Sequence, residues 1–244
     1  MHVHVVNASN RRQYLDEIEQ MHRHRHRVFV GQMGWKALDS PDGLDIDEFD
    51  TPNATYLIAI DAEGVVRGSC RMIPSWRPHM LRNLFADYVA GDAPSGPSVW
   101  EWTRHAPGDK AFEKDINHQA RFLLNIAAHE FAASRGIETF IGIADCQIVP
   151  RMIDLGWKVE PIGMPVNYGE GVGYAFKMNV DAANNDKLRA RLGRTGTALV
   201  VEMPRGLVAE EGAMARRTIE LAMRLPQESL NKAEEALRGL VRAA

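Results

Sequence analysis

Four short stretches of this 244-residue chain carry side chains that could do chemistry. The first holds Arg25, Arg27, Phe29, Gly34 and Trp35, two aromatics beside a basic helix end. The second crowds Asp45, Asp47, Glu48 and Asp50 into six residues. Like charges at this density repel, so the acids either meet a cation or stay in water. Calcium fits poorly: a loop begun at Asp45 sets Asp50 where the turn glycine belongs and Tyr56 where the bidentate glutamate belongs. The third is Arg71, and the fourth is Trp100-Glu101-Trp102-Thr103-Arg104, an acid and a base in an otherwise apolar strand. Each stretch has a plain structural use as a solvated face, an aromatic core or a buried Glu–Arg pair. Taken together they suit a zwitterion that also carries a sulfonium: acids facing the cationic groups, arginines a carboxylate, an aromatic face the sulfonium or an adenine.

The elements that must position these residues are legible in outline. Residues 2–6 alternate as a strand, and residues 7–10 offer caps for a helix running to about Phe29, near the breaks at Gly31 and Gly34. Residues 36–53 are rich in Asp, Gly and Pro, a loop long enough to be functional. Residues 55–60 and 65–73 read as a hairpin through Asp61-Ala62-Glu63-Gly64, and residues 98–103 as the next strand. Apolar residues at three and four spacing predict a helix over 116–134, closed by Gly136. The nearly continuous apolar run 137–144 reads as a doubly covered central strand, followed by a shorter helix near 148–155 and strands at 157–161 and 174–180. This order predicts an α/β fold, a mixed central sheet with helices on both faces. After Pro204 the composition shifts to Ala, Glu, Arg and Leu at helical spacing, so residues 205–244 read as a helical extension whose plain use is packing or homodimer formation.

Composition excludes several function classes. With 45% hydrophobic and 25% charged residues the chain can bury one sizeable core. It has neither a basic start followed by an apolar stretch nor an uncharged run near membrane-spanning length, so a cytoplasmic protein without membrane association is expected. A formal net charge of -3 gives no global attraction to nucleic acid. The run His22-Arg23-His24-Arg25-His26-Arg27 could be a zinc or nucleic-acid helix, since His22 and His26 lie one turn apart, but no third ligand is near. Cys70 and Cys146 lie in apolar runs and read as buried, reduced, inert thiols.

The motifs have a collective match. Arg25-x-x-x-Phe29 with Gly34-Trp35, Asp47-x-x-Asp50, Gly68-x-x-Arg71, Arg77-Pro78-x-Met80-Leu81 with Phe85, and Glu101-x-x-Arg104 resemble the autoinducer synthase family in residue type, spacing and order. Arg151 and Gly156-Trp157 carry the resemblance to about residue 180, so residues 1–204 are expected to form an acyl-homoserine-lactone synthase domain. The resemblance implies a GNAT-like three-layer fold whose central strands splay to admit a pantetheine arm. It implies small-molecule substrates, S-adenosylmethionine and an acyl thioester, with no prosthetic group and no metal. By position, Arg25, Phe29, Trp35, Asp47, Asp50, Arg71 and Phe85 shape the S-adenosylmethionine side, Glu101 is the general base, and Arg104 completes the catalytic pair.

The sequence departs from the common family pattern at Trp102-Thr103, at Cys70 and at Gly142. Trp100-Glu101-Trp102 and Pro41-Asp42-Gly43 resemble the branch that draws on acyl-coenzyme A, with acyl carrier protein as the alternative donor. Trp100, Trp102, Phe122, Ile126, Ile143, Cys146 and Ile148 are the expected acyl-pocket lining. The competing activity is a GNAT-type acylation of another amine without lactonisation. One geometric condition follows from strand periodicity: Glu101 and Arg104, three apart, share a site only if the strand bulges between them.

Overall fold

The structure, a computed structural model, describes residues 1–200; the expected extension over 205–244 lies outside the described residues. The hydrophobic patterning produces β1 (His2–Val6), α1 (Leu15–His26), β2 (Thr55–Ile60), β3 (Val66–Pro74), α2 (Met80–Asn83) and β4 (Val99–Ala106). There follow α3 (Lys114–Arg135), β5 (Thr139–Asp145), α4 (Val149–Asp154), β6 (Val159–Pro161), β7 (Val166–Asn167), β8 (Val172–Asn179), α5 (Ala182–Leu192) and β9 (Leu199–Val200). The strands form one mixed sheet in the order β6-β8-β5-β4-β3-β2-β1-β9, with β7 paired to β8.

Helices cover both faces, as expected. One face packs β1, β2, β3 and β4 through Val5, Leu57, Met72 and Trp102 against Leu123, Ile126, Ala127 and Phe131 of α3. The other face sets Tyr56, Ile58 and Ile73 against Met21 and Ile18 of α1, and Ile141 and Ala175 against Leu81 of α2. Every residue of β2 is buried, which is why its sequence lacks the alternation of a half-exposed strand. Gly136 ends α3 in the left-handed conformation at φ 64°, donating to the Ala132 carbonyl.

Two expectations needed correction. The Asn7–Asn10 segment does not cap α1: Asn10 instead accepts from Asn7 N–H and donates to the Val5 carbonyl, tying a turn to β1 before the helix begins at Leu15. Cys70 is buried, but Cys146 follows the end of β5 and is only partly covered, so burial of both thiols does not hold.

The ladder between β4 and β5 is incomplete, and this opens the middle of the sheet. It is parallel and pairs Val99, Trp100 and Glu101 with Thr139, Phe140 and Ile141, then stops, although β4 runs on to Ala106 and β5 to Asp145. Beyond Glu101 the two strands are paired only on their outer edges, with β3 and β8. Gly142 sits in the crotch: a Cβ there would lie 2.8 Å from the Trp102 carbonyl oxygen and 3.2 Å from the Phe176 ring. Gly142→Ala is expected to cost about 1–3 kcal/mol of unfolding free energy by forcing backbone apart. Denaturant titration checks this, and an unchanged midpoint would show that the crotch has room for a methyl group.

Candidate active site

The acids of residues 45–50 meet cations after all, and the cations are the chain's own. Arg25 bonds Asp45 through Nε at 2.7 Å and grips both oxygens of Asp50 at 2.9 and 3.1 Å. Arg71 grips both oxygens of Asp47 at 2.5 and 2.9 Å and reaches Asp50 at 2.9 Å. Arg104 reaches Asp45 at 3.0 Å and Asp47 at 2.9 Å. Each aspartate bridges two arginines and each arginine two aspartates, a closed ring of six alternating charges. The planar guanidinium fork makes this possible, since it presents several donors at fixed angles.

Three elements and one loop converge to build the ring. Arg25 comes from the last turn of α1, Arg71 from β3, Arg104 from β4 and the acids from the loop. The same helix holds that loop elsewhere: His22 Nδ1 lies 2.7 Å from the Asp45 carbonyl, and His26 pairs with Asp39 at 2.9 Å. The two histidines thus make separate contacts to the loop. Asp47 and Asp50 also brace the loop from within, accepting from Phe49 N–H and Asp47 N–H.

Charge compensation is uneven around the ring. Burial works against the Asp50 carboxylate, yet Arg25 and Arg71 hold its pKa below the usual range, and Arg71 and Arg104 do the same for Asp47. Burial also opposes the charges of Arg25 and Arg71, but their aspartates leave both pKa values raised. Of the three arginines Arg104 alone shifts downward, because burial and the neighbouring Arg25 and Arg71 outweigh Asp45 and Asp47. Arg104 is thus the guanidinium with most to gain from a further anion. Arg25 and Asp50 are fully interior, whereas Asp47, with 18% of its side chain exposed, is the ring's most open member.

The condition on Glu101 and Arg104 is met by a bulge. Ser69 pairs with Ala106 and Arg71 with Thr103, so β4 spends one residue more than β3. Arg104 takes φ 50°, the one left-handed non-glycine residue among those described. Glu101, Thr103 and Arg104 consequently share the α1 side of the sheet, where the Thr103 hydroxyl accepts from Arg71 Nε at 3.1 Å.

Glu101 lies at the crotch, on the last rung of the β4–β5 ladder, and is fully buried. Its carboxylate accepts from the Met80 N–H at 3.0 Å and the Leu81 N–H at 2.6 Å, capping the first turn of α2 from a distance in sequence. Burial pushes its pKa up to about 7, against the pull of those two N–H groups and of Arg71. The short α2 escaped sequence reasoning, which explains why the Arg77-Pro78-x-Met80-Leu81 string has a role: it supplies the cap's donors. Met80 further sets its sulfur 3.2 Å from Arg71.

The aromatic wall stands beside the ring. After α1 the backbone widens into a π turn over Arg27–Gln32, which turns Phe29 inward. Phe29 stacks on Trp35 at 5.3 Å and lies under the Arg104 guanidinium at 5.7 Å. Trp35 meets Tyr168 edge-on, and the Tyr168 hydroxyl donates to Asp145 at the end of β5. Asp45, Thr103, Tyr168 and Asp145 were absent from the sequence-derived site. Asp45 and Thr103 stood inside motifs already singled out, but nothing local in the sequence links Tyr168 to Trp35. Phe85 falls into the cluster of Leu81, Ile141 and Ile143 behind Glu101, packed on Tyr88.

The seven expected acyl-lining residues do not share one pocket. Trp102, Phe122 and Ile126 lie on the α3 side, where Trp102 meets Phe140 at 5.3 Å and Trp157 at 5.4 Å. Trp157 is fixed in turn by its indole N–H on Asn125 at 2.7 Å. Trp100 lies under the closed part of the ladder against Phe131 and Trp76. Ile143 points to the opposite face, as strand alternation from Gly142 requires, and Cys146 and Ile148 are partly covered residues beyond β5. Between α3 and α4 a cavity of about 240 Å³ is lined by Arg121, Phe122, Pro150, Arg151, Asp154 and Leu155.

A raised carboxyl pKa lowers stability at high pH. The folded Glu101 value of about 7 exceeds its ordinary 4.5, so its contribution is fully present below pH 4.5 and lost as pH rises through 7. Between pH 5 and pH 8 the wild type is expected to lose about 2–3 kcal/mol relative to Glu101→Gln, other titrations cancelling in the difference. Parallel denaturation curves at the two pH values measure it; a constant difference would place the Glu101 pKa in the ordinary range.

Known proteins share this sequence pattern and this fold. The sequence profile of the autoinducer synthase family matches residues 9–188. The chain is 31% identical over 192 residues to the isovaleryl-homoserine lactone synthase of Bradyrhizobium diazoefficiens, covering 78% of this chain and 85% of that one. It is 29% identical over 182 residues to an acyl-homoserine-lactone synthase of Ralstonia nicotianae, covering 72% and 87%. The solved structure of BjaI, a CoA-dependent acyl-homoserine lactone synthase with SAM and isopentyl-CoA, superposes with a TM-score of 0.75 at 29% identity, covering 84% of this chain and 94% of that one. With its profile match spanning most of the chain and its fold shared with such an enzyme, this chain belongs to the autoinducer synthase family.

Proposed function

We propose that this chain transfers the acyl group of an acyl-coenzyme A to the amine of S-adenosylmethionine and closes the product to an N-acyl-homoserine lactone, a cytoplasmic synthesis of a quorum-sensing signal. The observation that carries the reading is Glu101 at the crotch of the splayed strands, a carboxyl with a pKa of about 7 beside the ring and the aromatic wall. A thioester entering between β4 and β5 would meet unpaired backbone there, whose N–H groups can hold the oxyanion. A base poised near neutral pH can take the ammonium proton and leave the amine free to attack, directly or through a water.

The other residues divide the second substrate between them. Arg104, the least compensated guanidinium, takes the methionyl carboxylate. Asp47, the most exposed ring acid, faces the cationic groups, and Phe29 and Trp35 offer ring faces to the sulfonium or the adenine. Arg25, Asp50 and Arg71 act behind them by holding these groups in place. Lactonisation then needs mostly conformation: the carboxylate attacks the γ-carbon and expels methylthioadenosine, a step favoured by positioning rather than by a second base.

The donor and the chain class rest on separate observations. BjaI is described as CoA-dependent, and the chain is similar to it over most of its length. Trp102, wedged among Phe140, Trp157 and His105, fills the α3 side of the crotch and favours short, branched or flat aryl acyl groups over long linear ones.

Mass spectrometry of products from purified protein, S-adenosylmethionine and matched acyl-coenzyme A and acyl-carrier-protein donors tests the reading. Acyl-homoserine lactone with stoichiometric methylthioadenosine is expected, faster from coenzyme A; an acyl amide without methylthioadenosine would mean simple amine acylation. A tenfold preference for the carrier protein, equivalent to about 1.4 kcal/mol, would overturn the donor assignment alone. Glu101→Gln is expected to lower turnover about 10²–10⁴-fold while S-adenosylmethionine binding survives. Wild-type turnover across pH would remove Glu101 as the base.

A further inference from the structure

One buried nitrogen has no part in the reaction as described. His105 follows Arg104 on β4, in the stretch beyond Glu101 where no ladder joins β4 to β5. The bulge that turns Arg104 toward the ring leaves His105 on the α3 side, its ring edge-on to Trp102 at 5.2 Å. His105 Nδ1 is shielded from solvent and has no hydrogen-bond partner among the described residues. Burial, seconded by the charge of Arg121 on α3, lowers its pKa to about 4, so the ring is neutral and carries one donor and one acceptor nitrogen. Arg121 itself lines the cavity between α3 and α4.

Packing alone does not account for this residue. A phenylalanine would meet the Trp102 edge equally well without burying an unmade hydrogen bond, and buried polar atoms in native proteins nearly always find a partner. The missing partner must be polar, uncharged enough to suit a neutral imidazole, and available along the open edge of β4. The arm that links a thioester to its phosphate in both coenzyme A and carrier protein is an extended chain bearing two secondary amides, and it fits that description.

We propose that His105 is a binding residue for the acyl donor, its Nδ1 hydrogen-bonded to an amide of the pantetheine arm lying along β4. This rests on the reading that the thioester enters between the splayed strands, and it adds a specific donor contact to it. Such a contact acts on arm binding and not on the sulfonium substrate, which the proposed function assigns to the opposite face, where Arg104 lies over Phe29.

Steady-state kinetics of the full chain test it with three donors carrying the same acyl group: acyl-coenzyme A, acyl-pantetheine, and a thioester of a simple alkyl thiol without amides. His105→Phe is expected to raise KM about tenfold for the first two, the size of one lost hydrogen bond, and to leave the amide-free thioester unaffected. KM for S-adenosylmethionine and kcat at saturation should stay within about twofold, and His105→Gln should restore part of the donor affinity. Should the phenylalanine variant fail to fold by circular dichroism, His105→Leu is compared with His105→Gln in its place. Unchanged donor KM, an equal rise with the amide-free thioester, or an equal rise for both substrates would each overturn the proposal. Absence of lactone product from the wild type would instead overturn the underlying reading.

Discussion

Three arginines and three aspartates, each bonded to two of the opposite sign, hold the rest of the site in register. The loop from Lys36 to Asn53 has few apolar residues to anchor it; Phe49 is buried, but Ile46 is mostly exposed. Ionic contacts do the anchoring instead, and they do so from α1, β3 and β4 at once. Burying ion pairs is nearly neutral for stability against an apolar alternative, but removing one partner leaves an uncompensated interior charge at a cost of about 3–5 kcal/mol. A ring of such pairs therefore tolerates little rearrangement. Rigidity of that kind is what a site needs if it is to present Arg104, Asp47 and the Phe29–Trp35 stack at fixed positions.

The second dependency runs through β4. Its bulge carries Arg104 to the ring and His105 to the opposite face within consecutive residues, so one backbone irregularity serves both sides of the sheet. Glu101, just before it, closes the last rung to β5 and caps α2. The strand is thus the seam between the ring of charges on one face and the Trp102–His105 pair on the other. Gly142 across the crotch matters for the same reason, because any side chain there would collide with the Trp102 carbonyl.

Much of this was legible in residue order. Strong periodicity marked α3, and an unbroken apolar run marked β5 as doubly covered, because both signals come from burial that every residue in the element shares. The need for a bulge between Glu101 and Arg104 followed from strand alternation alone. By contrast α5 went unread: it buries only Asn184 and Leu188, so it shows little periodicity, although Asp181 at its start and Gly193 after its end are cap signals. The four-residue α2 gave no signal because its stability comes from a carboxylate in β4. The acids of the loop looked like ligands for a substrate's cations, since nothing local pairs them with arginines lying up to 59 residues away. Trp100 and Ile143 were grouped with Trp102 by composition, whereas the pleat and the position of the crotch separate them.

The six charges act as one unit rather than as a set of independent pairs. Asp50 and Arg104 are joined by no direct ion pair, but Arg25 with Asp45 and Arg71 with Asp47 connect them around the ring. A double-mutant cycle on Asp50→Asn and Arg104→Gln, read by denaturant unfolding, measures their coupling. The closed ring predicts a coupling free energy above about 1 kcal/mol, well beyond what separate sites give. Additivity within about 0.5 kcal/mol would contradict it and reduce the ring to neighbouring salt bridges.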